Sequence, residues 1–198
     1  MRRPLKSIVR REIFAFGVLA AILPLGCREA ATKQPGKDGI HVKTTTFSEG
    51  TIPRKDACRE QGGEDVSPEL SWDALPAGTK SIALIVRDVD APLGTLRGYF
   101  THWTLYDLPP GERELPEGVP QDEQLESGAR QGRNDFGRIG YGGPCPPGHL
   151  PHHYVFSVYA LDAKLGLPAG AKEKEVEEGM QGHILARGEI TGRYAASD

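Results

Sequence analysis

Two segments of the chain combine titratable side chains with the prolines and glycines of stiff loops. The first is DVDAP, residues 88–92, and the second is YGGPCPPGHLPHHY, residues 141–154. Each lies beside a segment of strand-like composition. Carboxylates, imidazoles and a phenol held on stiff loops at strand ends present hydrogen-bonding groups in fixed directions, as a small-ligand site requires. These two segments therefore predict where the function resides.

The individual residues allow both a functional and a structural interpretation. Asp88 and Asp90 project to opposite sides of an extended segment, so we expect one to face the site and the other to cap the following turn. His102 precedes Trp103 in a predicted strand, so the imidazole and the indole lie on opposite faces and one of them is buried. Taken alone, the aspartates fit a solvated turn and His102 fits a hydrogen-bonded core residue.

Sequence signatures of catalysis are absent. There is no Gly-x-Ser-x-Gly nucleophile elbow and no phosphate-binding loop ending in Gly-Lys-Ser/Thr. His149, His152 and His153 are close in sequence, which suggests zinc, but adjacent histidines at the start of a strand point apart and no His-x-x-x-His pattern falls on a predicted helix. We expect a protein that is not an enzyme and that holds neither a metal nor another cofactor.

The N-terminal residues predict export. Five basic residues precede position 12, an apolar run occupies residues 13–25, and Gly26-Cys27 follows. A spanning helix needs about 20 apolar residues, so the shorter run favours a secretory signal over the alternative of a short anchor helix. Gly26-Cys27 resembles the lipobox of bacterial lipoproteins, in which the cysteine is acylated. Residues 1–26 are thus predicted to be a signal peptide of the lipoprotein type.

The rest of the chain divides into a tether and one domain. Residues 27–39 are too polar to pack and predict a flexible tether, and residues 40–198 suit a single domain with a substantial core. Beyond residue 26 the chain carries 19 basic and 26 acidic side chains, a formal charge of −7. An acidic domain has no electrostatic reason to bind nucleic acid, whose phosphates attract Lys and Arg.

Two cysteines remain once Cys27 is assigned to lipid. In an oxidising envelope compartment, Cys58 and Cys145 are a candidate disulfide, with two unpaired buried thiols as the alternative. The predicted location is the bacterial cell envelope, as a lipoprotein on the periplasmic side or in the outer membrane. A soluble periplasmic or secreted protein is the alternative.

The predicted secondary structure is mostly β. Strand-like composition occurs in five segments: 40–47, 81–87, 102–106, 154–161 and 189–194. Residues 81–87 form a continuous apolar run, which predicts a buried central strand. One helix is predicted over residues 172–186, where Val176, Met180 and Ile184 recur on one face.

Six motifs in order resemble those of the phosphatidylethanolamine-binding proteins, specifically the bacterial YbhB/YbcL-type Raf-kinase-inhibitor-like branch. They occupy residues 67–72, 88–92, 102–103, 140–144, 146–148 and 152–154. The resemblance implies a sandwich of two antiparallel sheets with one or two short peripheral helices. It also implies a small pocket for phosphate, acetate or phosphoethanolamine-like groups, such as a phospholipid head group.

By motif position, the resemblance implies that the pocket is lined by Asp88, His102, His152 and Tyr154, joined by Asp90, Pro92, Gly143 and Pro144 at the loops around it. Pro92 and Pro144 would shape the rim, and Gly143 would let the backbone approach the ligand. The chain departs from the family pattern at Val89, where a proline is usual, and at His153, where an arginine is usual. The second change replaces a permanent cation with one that depends on pH.

The resulting functional prediction is an envelope protein, anchored to the membrane by lipid, that binds a small anionic ligand without enzymatic activity. One alternative is a protein-interaction or inhibitor module acting on an envelope enzyme. The other is a metal-assisted hydrolase built on Asp88, His102, His149 and His152. The sequence leaves open whether the chain forms a homodimer.

Overall fold

The structure, a computed structural model, describes residues 39–47, 49–91 and 98–196, and these residues form two antiparallel sheets. The larger has the strand order β6-β4-β3-β7-β8 and the smaller has the order β1-β2-β5. The strands are β1 His41–Lys43, β2 Leu70–Asp73, β3 Ser81–Asp88, β4 Phe100–Leu108, β5 Glu114–Leu115, β6 Arg130–Gln131, β7 His152–Leu161 and β8 Ile184–Tyr194. The helices are 3-10 turns at Arg54–Asp56 and Arg59–Gln61 and one α-helix, α1, at Glu173–Met180.

Strand β3 is buried on both faces, as its continuous apolar run predicted. Its alternate side chains Ile82, Leu84 and Val86 pack into a core shared with residues of the small sheet. The intervening Ala83 and Ile85 pack into a second core, which includes Val176 and Met180 of α1. The large sheet is therefore covered by the small sheet on one face and by α1 on the other, and β3 is central between β4 and β7.

The helix prediction was wrong at its C-terminal end. Val176 and Met180 are buried on α1 as predicted, but Ile184 begins β8, so the last strand starts before residue 189. Gly182 adopts a φ of +79°, which favours glycine and turns the chain out of the helix. Ile184 then pairs with Leu161 of β7, so that strand pairing takes the place of further helical hydrogen bonds.

The first predicted strand is shorter than expected. It ends at Lys43, because the Thr44 hydroxyl donates a hydrogen bond to the Glu69 carbonyl and accepts one from the Thr46 amide. These bonds close a turn in place of further strand pairing.

No helix within the described ranges is long and apolar enough to cross a membrane. The predicted signal peptide, Cys27 and all of the tether except Gly39 lie outside the described residues.

Candidate functional site

Three adjacent strands bring polar side chains together at one end of the large sheet. Asp88 is the last residue of β3, and it lies opposite Phe100 of β4 and Tyr154 of β7. Because both neighbours run antiparallel to β3, the end of β3 meets the beginnings of β4 and β7. His102 and His152 come from those beginnings, so residues distant in sequence become neighbours.

The buried carboxylate of Asp88 positions His152. Nδ1 of His152 lies 2.7 Å from Oδ2 of Asp88, and both residues are buried. A carboxylate only accepts hydrogen bonds, so Nδ1 carries the proton and Nε2 is the nitrogen left for other partners. The other carboxylate oxygen accepts the Asp90 amide at 2.9 Å, which fixes the carboxylate against the turn.

His102 is held by the loop that carries the glycines. Its Nδ1 donates to the Gly142 carbonyl at 2.7 Å, and the Gly142 amide donates back to the His102 carbonyl at 2.9 Å. Burial lowers the pKa of His102, which favours the neutral ring. With Nδ1 protonated, Nε2 of the neutral ring is an acceptor.

The phenol of Tyr154 completes the group. Its ring meets that of His102 edge to face, with 5.1 Å between centroids. Its hydroxyl is buried beside the Asp88 carboxylate and the Cys145 backbone but forms no hydrogen bond of good geometry within the described residues. Burial, reinforced by the charge of Asp88, raises the pKa of the phenol, so it stays protonated and can donate. A buried polar atom without a partner is uncommon and is consistent with a ligand or water that completes it.

A cavity of about 180 Å³ opens at this end of the sheet and is lined by Asp88, Ala91, Phe100, His102, Phe136, Cys145 and Pro147. Of the four residues that the resemblance places in the pocket, Asp88 and His102 are therefore in its described lining, whereas His152 and Tyr154 contact those two residues from behind. Phe100 and Phe136 are in edge-to-face contact, with 4.7 Å between centroids. The cavity therefore has an aromatic wall facing a carboxylate and an imidazole. Phe136 is not part of any motif singled out in the sequence. The one indication of its role is that an aromatic residue precedes the turn glycine Gly137.

Asp90 points away from the cavity. Its carboxylate accepts from the backbone amide of His153 at 2.7 Å and from Nδ1 of the same residue at 2.6 Å, and both side chains are exposed. The two aspartates therefore lie in different environments, with Asp88 buried and Asp90 exposed, but Asp88 also caps the turn by accepting the Asp90 amide, so the predicted division of roles was wrong. Asp90, expected to bind the ligand, is not in the described lining of the cavity. His153 thus has an acidic surface partner of its own.

Gly143 and Pro144 support the site from behind and are not among the residues described as lining the cavity. The Gly143 amide donates to Asp65 at 2.9 Å, and a Cβ at Gly143 would lie 2.3 Å from the Asp56 carbonyl. The absence of a side chain therefore serves backbone packing. The Pro144 carbonyl accepts the Cys58 amide at 2.9 Å. Pro92 lies outside the described residues.

The same support includes the two predicted partner cysteines. The sulfur atoms of Cys58 and Cys145 lie 2.03 Å apart, with 5.4 Å between their Cα atoms, the geometry of a disulfide. Gln61 adds a hydrogen bond to the Pro146 carbonyl at 2.7 Å. Because Cys145 lines the cavity, these contacts fix one wall of it.

Among the described residues, one group of three side chains could jointly hold a metal ion: Cys58, Glu60 and Cys145. Two of its members are the sulfur atoms at bonding distance. In the described ranges no such group contains Asp88 or any of the histidines considered for a metal, which are His102, His149, His152 and His153.

Fold and site together define a two-sheet β protein with a small cavity at the strand ends, lined by an aspartate, a histidine and two phenylalanines. The family profile described as phosphatidylethanolamine-binding protein matches residues 42–195. The chain belongs to this family.

Curated relatives include the UPF0098 protein of Aquifex aeolicus, 49% identical over 78% of this chain and 88% of its own length. The UPF0098 protein YbcL of Escherichia coli is 42% identical over 67% of this chain and 73% of its own. The crystal structure of E. coli YbcL superposes with a TM-score of 0.73 at 34% identity, covering 81% of this chain and all of that one. A phosphatidylethanolamine-binding protein homologue from Chlamydia trachomatis superposes with a TM-score of 0.71 at 38% identity, covering 80% of this chain and 99% of that one.

Proposed function

We propose that the protein is a non-enzymatic binding protein for a small oxyanion, phosphate or carboxylate in type, held in the cavity beside Asp88 and His102. The observation that carries the proposal is the convergence of two imidazoles, a phenol and a carboxylate at one end of the sheet, where Asp88 and His102 line the cavity. Each imidazole has Nδ1 committed to the protein, which leaves Nε2 for a ligand, whereas both carboxylate oxygens of Asp88 already accept hydrogen bonds from the protein.

Each side chain has a distinct role in this proposal. The Tyr154 hydroxyl donates to a ligand oxygen, because it stays protonated and forms no hydrogen bond of good geometry with the described protein. The imidazoles of His102 and His152 offer Nε2, which donates when the ring is protonated and accepts a ligand O–H when it is neutral. Asp88 is a positioning residue, since it fixes the ring of His152.

The charge of the cavity restricts the ligand. In the described part of its lining there is no Lys or Arg, and Asp88 contributes a negative charge. An anion can bind there only with a proton, carried either by an imidazole or by the ligand itself. The aromatic wall of Phe100 and Phe136 accommodates an apolar or cationic part of the ligand beside the anionic part.

Isothermal titration calorimetry with inorganic phosphate and phosphoethanolamine tests the proposal. We expect H102A and H152A to abolish measurable binding while circular dichroism shows a retained fold. H183A is the matched control, because His183 is a surface histidine paired with Asp162 at 2.8 Å, and it should bind as the wild type does. Unchanged binding in both site variants would refute the site.

We also propose that the protein is exported and anchored through lipid at Cys27. The proposal is supported by the basic and apolar N-terminal residues and by the disulfide geometry of Cys58 and Cys145, because disulfides persist in oxidising compartments. Wild type and C27S, produced in a bacterial host, would be compared by fractionation and palmitate labelling. We expect C27S to move from the membrane to the soluble periplasmic fraction and to lose the label. Recovery of both in the cytoplasm contradicts export.

Thiol labelling tests the bond between Cys58 and Cys145. Wild-type protein extracted from the membrane fraction should react with a maleimide at these positions only after reduction and denaturation. Labelling of the denatured protein without a reductant would show two free thiols instead.

A further inference from the structure

A second, larger cavity of about 330 Å³ lies at the far end of β4 from the pocket. Leu108, the last residue of β4, lines it, whereas His102 near the start of β4 lines the pocket. Six residues of strand separate the two, or about 20 Å along the sheet. We call this second cavity the acidic groove. It shares no described lining residue with the pocket.

The floor of the acidic groove is apolar. Leu108, Leu115 and Val119 are buried core residues that line it, and Leu125 is half-buried beside them. Pro116 and Pro120 also line it. An apolar floor of this kind binds an apolar side chain of a partner by removing it from water.

All of the charged residues that line the groove are acidic and form its rim, and Gln124 and Ser127 line it as neutral polar residues. Four exposed carboxylates line the groove: Glu112, Glu114, Asp122 and Glu126. In the part of the chain that the structure describes, none of them forms an ion pair and no Lys or Arg lines the groove. Neighbouring carboxylates behave differently, since Glu117 pairs with Lys55 and Asp73 pairs with Lys43. The groove is thus an unneutralised negative surface over an apolar floor.

A free strand edge borders the groove. Strand β5, Glu114–Leu115, pairs with β2 and is the last strand of the small sheet. An extended peptide can add to such an edge through main-chain hydrogen bonds while its alternate side chains enter pockets. Both residues of β5 line the groove, so an added strand would lie along it.

From these three features we propose that the acidic groove binds an extended peptide segment of a partner protein in which Lys or Arg alternates with apolar residues. The apolar side chains enter the floor over Leu108 and Val119. The basic side chains, being long, reach back to the carboxylates of the rim. This gives the protein a protein-binding surface separate from its pocket.

The probe is a short fluorescein-labelled peptide in which lysine alternates with valine, titrated with the protein and followed by fluorescence anisotropy. Two comparison peptides replace every lysine with glutamate, or every valine with serine. We expect saturable binding of the first peptide alone, weakened by added salt because the rim is exposed. Equal binding of the lysine–serine peptide would show a non-specific attraction between charges and overturn the proposal.

Variants locate the binding. E112Q/E126Q removes two rim carboxylates and should lower the affinity for the lysine–valine peptide roughly two- to fivefold for each charge removed. E49Q/E64Q is the matched control, because it removes two exposed carboxylates outside the groove. S127R places a cation at the groove and should abolish binding. Equal affinities for these two double variants, or undiminished binding by S127R, would refute the groove as the site.

Nuclear magnetic resonance separates the groove from the pocket. Addition of the lysine–valine peptide should shift the amide signals of Glu114 and Leu115, whereas inorganic phosphate should not. Peptide-induced shifts confined to residues of the pocket would place the peptide there and overturn the proposal.

Discussion

Nδ1 of His152 donates a hydrogen bond to Oδ2 of Asp88 across 2.7 Å, with both residues buried where β3 and β7 meet. This contact decides which ring nitrogen is available, because a carboxylate partner keeps the proton on Nδ1. In His102 the Gly142 carbonyl has the same effect. The protein therefore holds both imidazoles through a hydrogen bond at Nδ1. In each ring, Nε2 is the nitrogen that takes no part in this hydrogen bond.

Removal of the carboxylate should disorder this arrangement. D88A removes the acceptor of the His152 ring and of the Asp90 amide, and hydrogen bonds to charged groups contribute about 1.5 to 3 kcal/mol. We expect at least a roughly tenfold loss of phosphate affinity, with a smaller loss in D88N because its amide oxygen can still accept. Calorimetry measures the affinity, and the nitrogen chemical shifts of the ring report the tautomer. Wild-type affinity with an unchanged tautomer in D88A would contradict this positioning role.

Phosphate affinity should rise as the pH falls. Because burial lowers the pKa of His102, its ring is neutral near pH 7, and an anion binds best when a proton is added. We expect tighter binding at about pH 6 than at about pH 8, with net proton uptake seen by calorimetry in buffers of different ionisation enthalpy. Sulfate is the control, because it does not titrate in this range. If sulfate affinity does not vary with pH, the proton is on the ligand and not on a histidine.

Asp56 should make the fold less stable at high pH. Both carboxylate oxygens are buried without a hydrogen-bond partner in the described residues, and burial raises the pKa of Asp56 to about 7. The unfolded chain loses this proton near its usual pKa of about 4. Stability is therefore greatest below that value and declines as the pH rises to about 7, by about 4 kcal/mol at most.

The variant D56N removes this titration. Its free energy of unfolding in urea, relative to wild type, should increase between about pH 5 and about pH 8. E49Q, which changes an exposed carboxylate, should show no such increase. An equal D56N difference at both pH values would contradict the prediction.

Glu173 should matter more for stability than its neighbour Glu177. Both carboxylates pair with Arg87, but Glu173 is 2% exposed and also accepts from the Thr101 hydroxyl, whereas the Glu177 side chain is 40% exposed. Removing one member of a buried ion pair costs about 3 to 5 kcal/mol, against less than about 1 for an exposed pair. Urea unfolding of E173A and E177A measures the difference. Similar losses in both variants would refute this distinction.

The sequence predicted five of the eight described strands and missed β2, β5 and β6, which are two to four residues long. The run of residues 81–87 marks a buried strand because apolar side chains on both sides of a strand require cover on both faces. The end of α1 was not predictable in this way. Ile184 continues the helical spacing of Val176 and Met180, and pairing with Leu161 of β7, which is distant in sequence, decides that it belongs to β8.

In the candidate site, too, some residues were predicted from the sequence and others were not. The family resemblance implied Asp88, His102, His152 and Tyr154 as one group, and the structure brings them together at one end of the large sheet. The sequence did not predict Phe136 in the wall of the cavity. The position of Phe136 depends on how the turn containing Gly137 packs against β4. Nor did the sequence predict the orphaned carboxyl of Asp56.

The sequence by itself determined the composition of the strands, the inward and outward alternation of Asp88 and Asp90, and membership of the family. These are local properties, since side-chain periodicity and motif order can be read along the chain. Only the tertiary structure decided which nitrogen of His102 and His152 is committed, which glycines serve packing, and where four acidic side chains form no ion pair with any other described residue around an apolar groove. Those properties depend on contacts between segments far apart in sequence, where burial and hydrogen-bond partners are set by the whole fold.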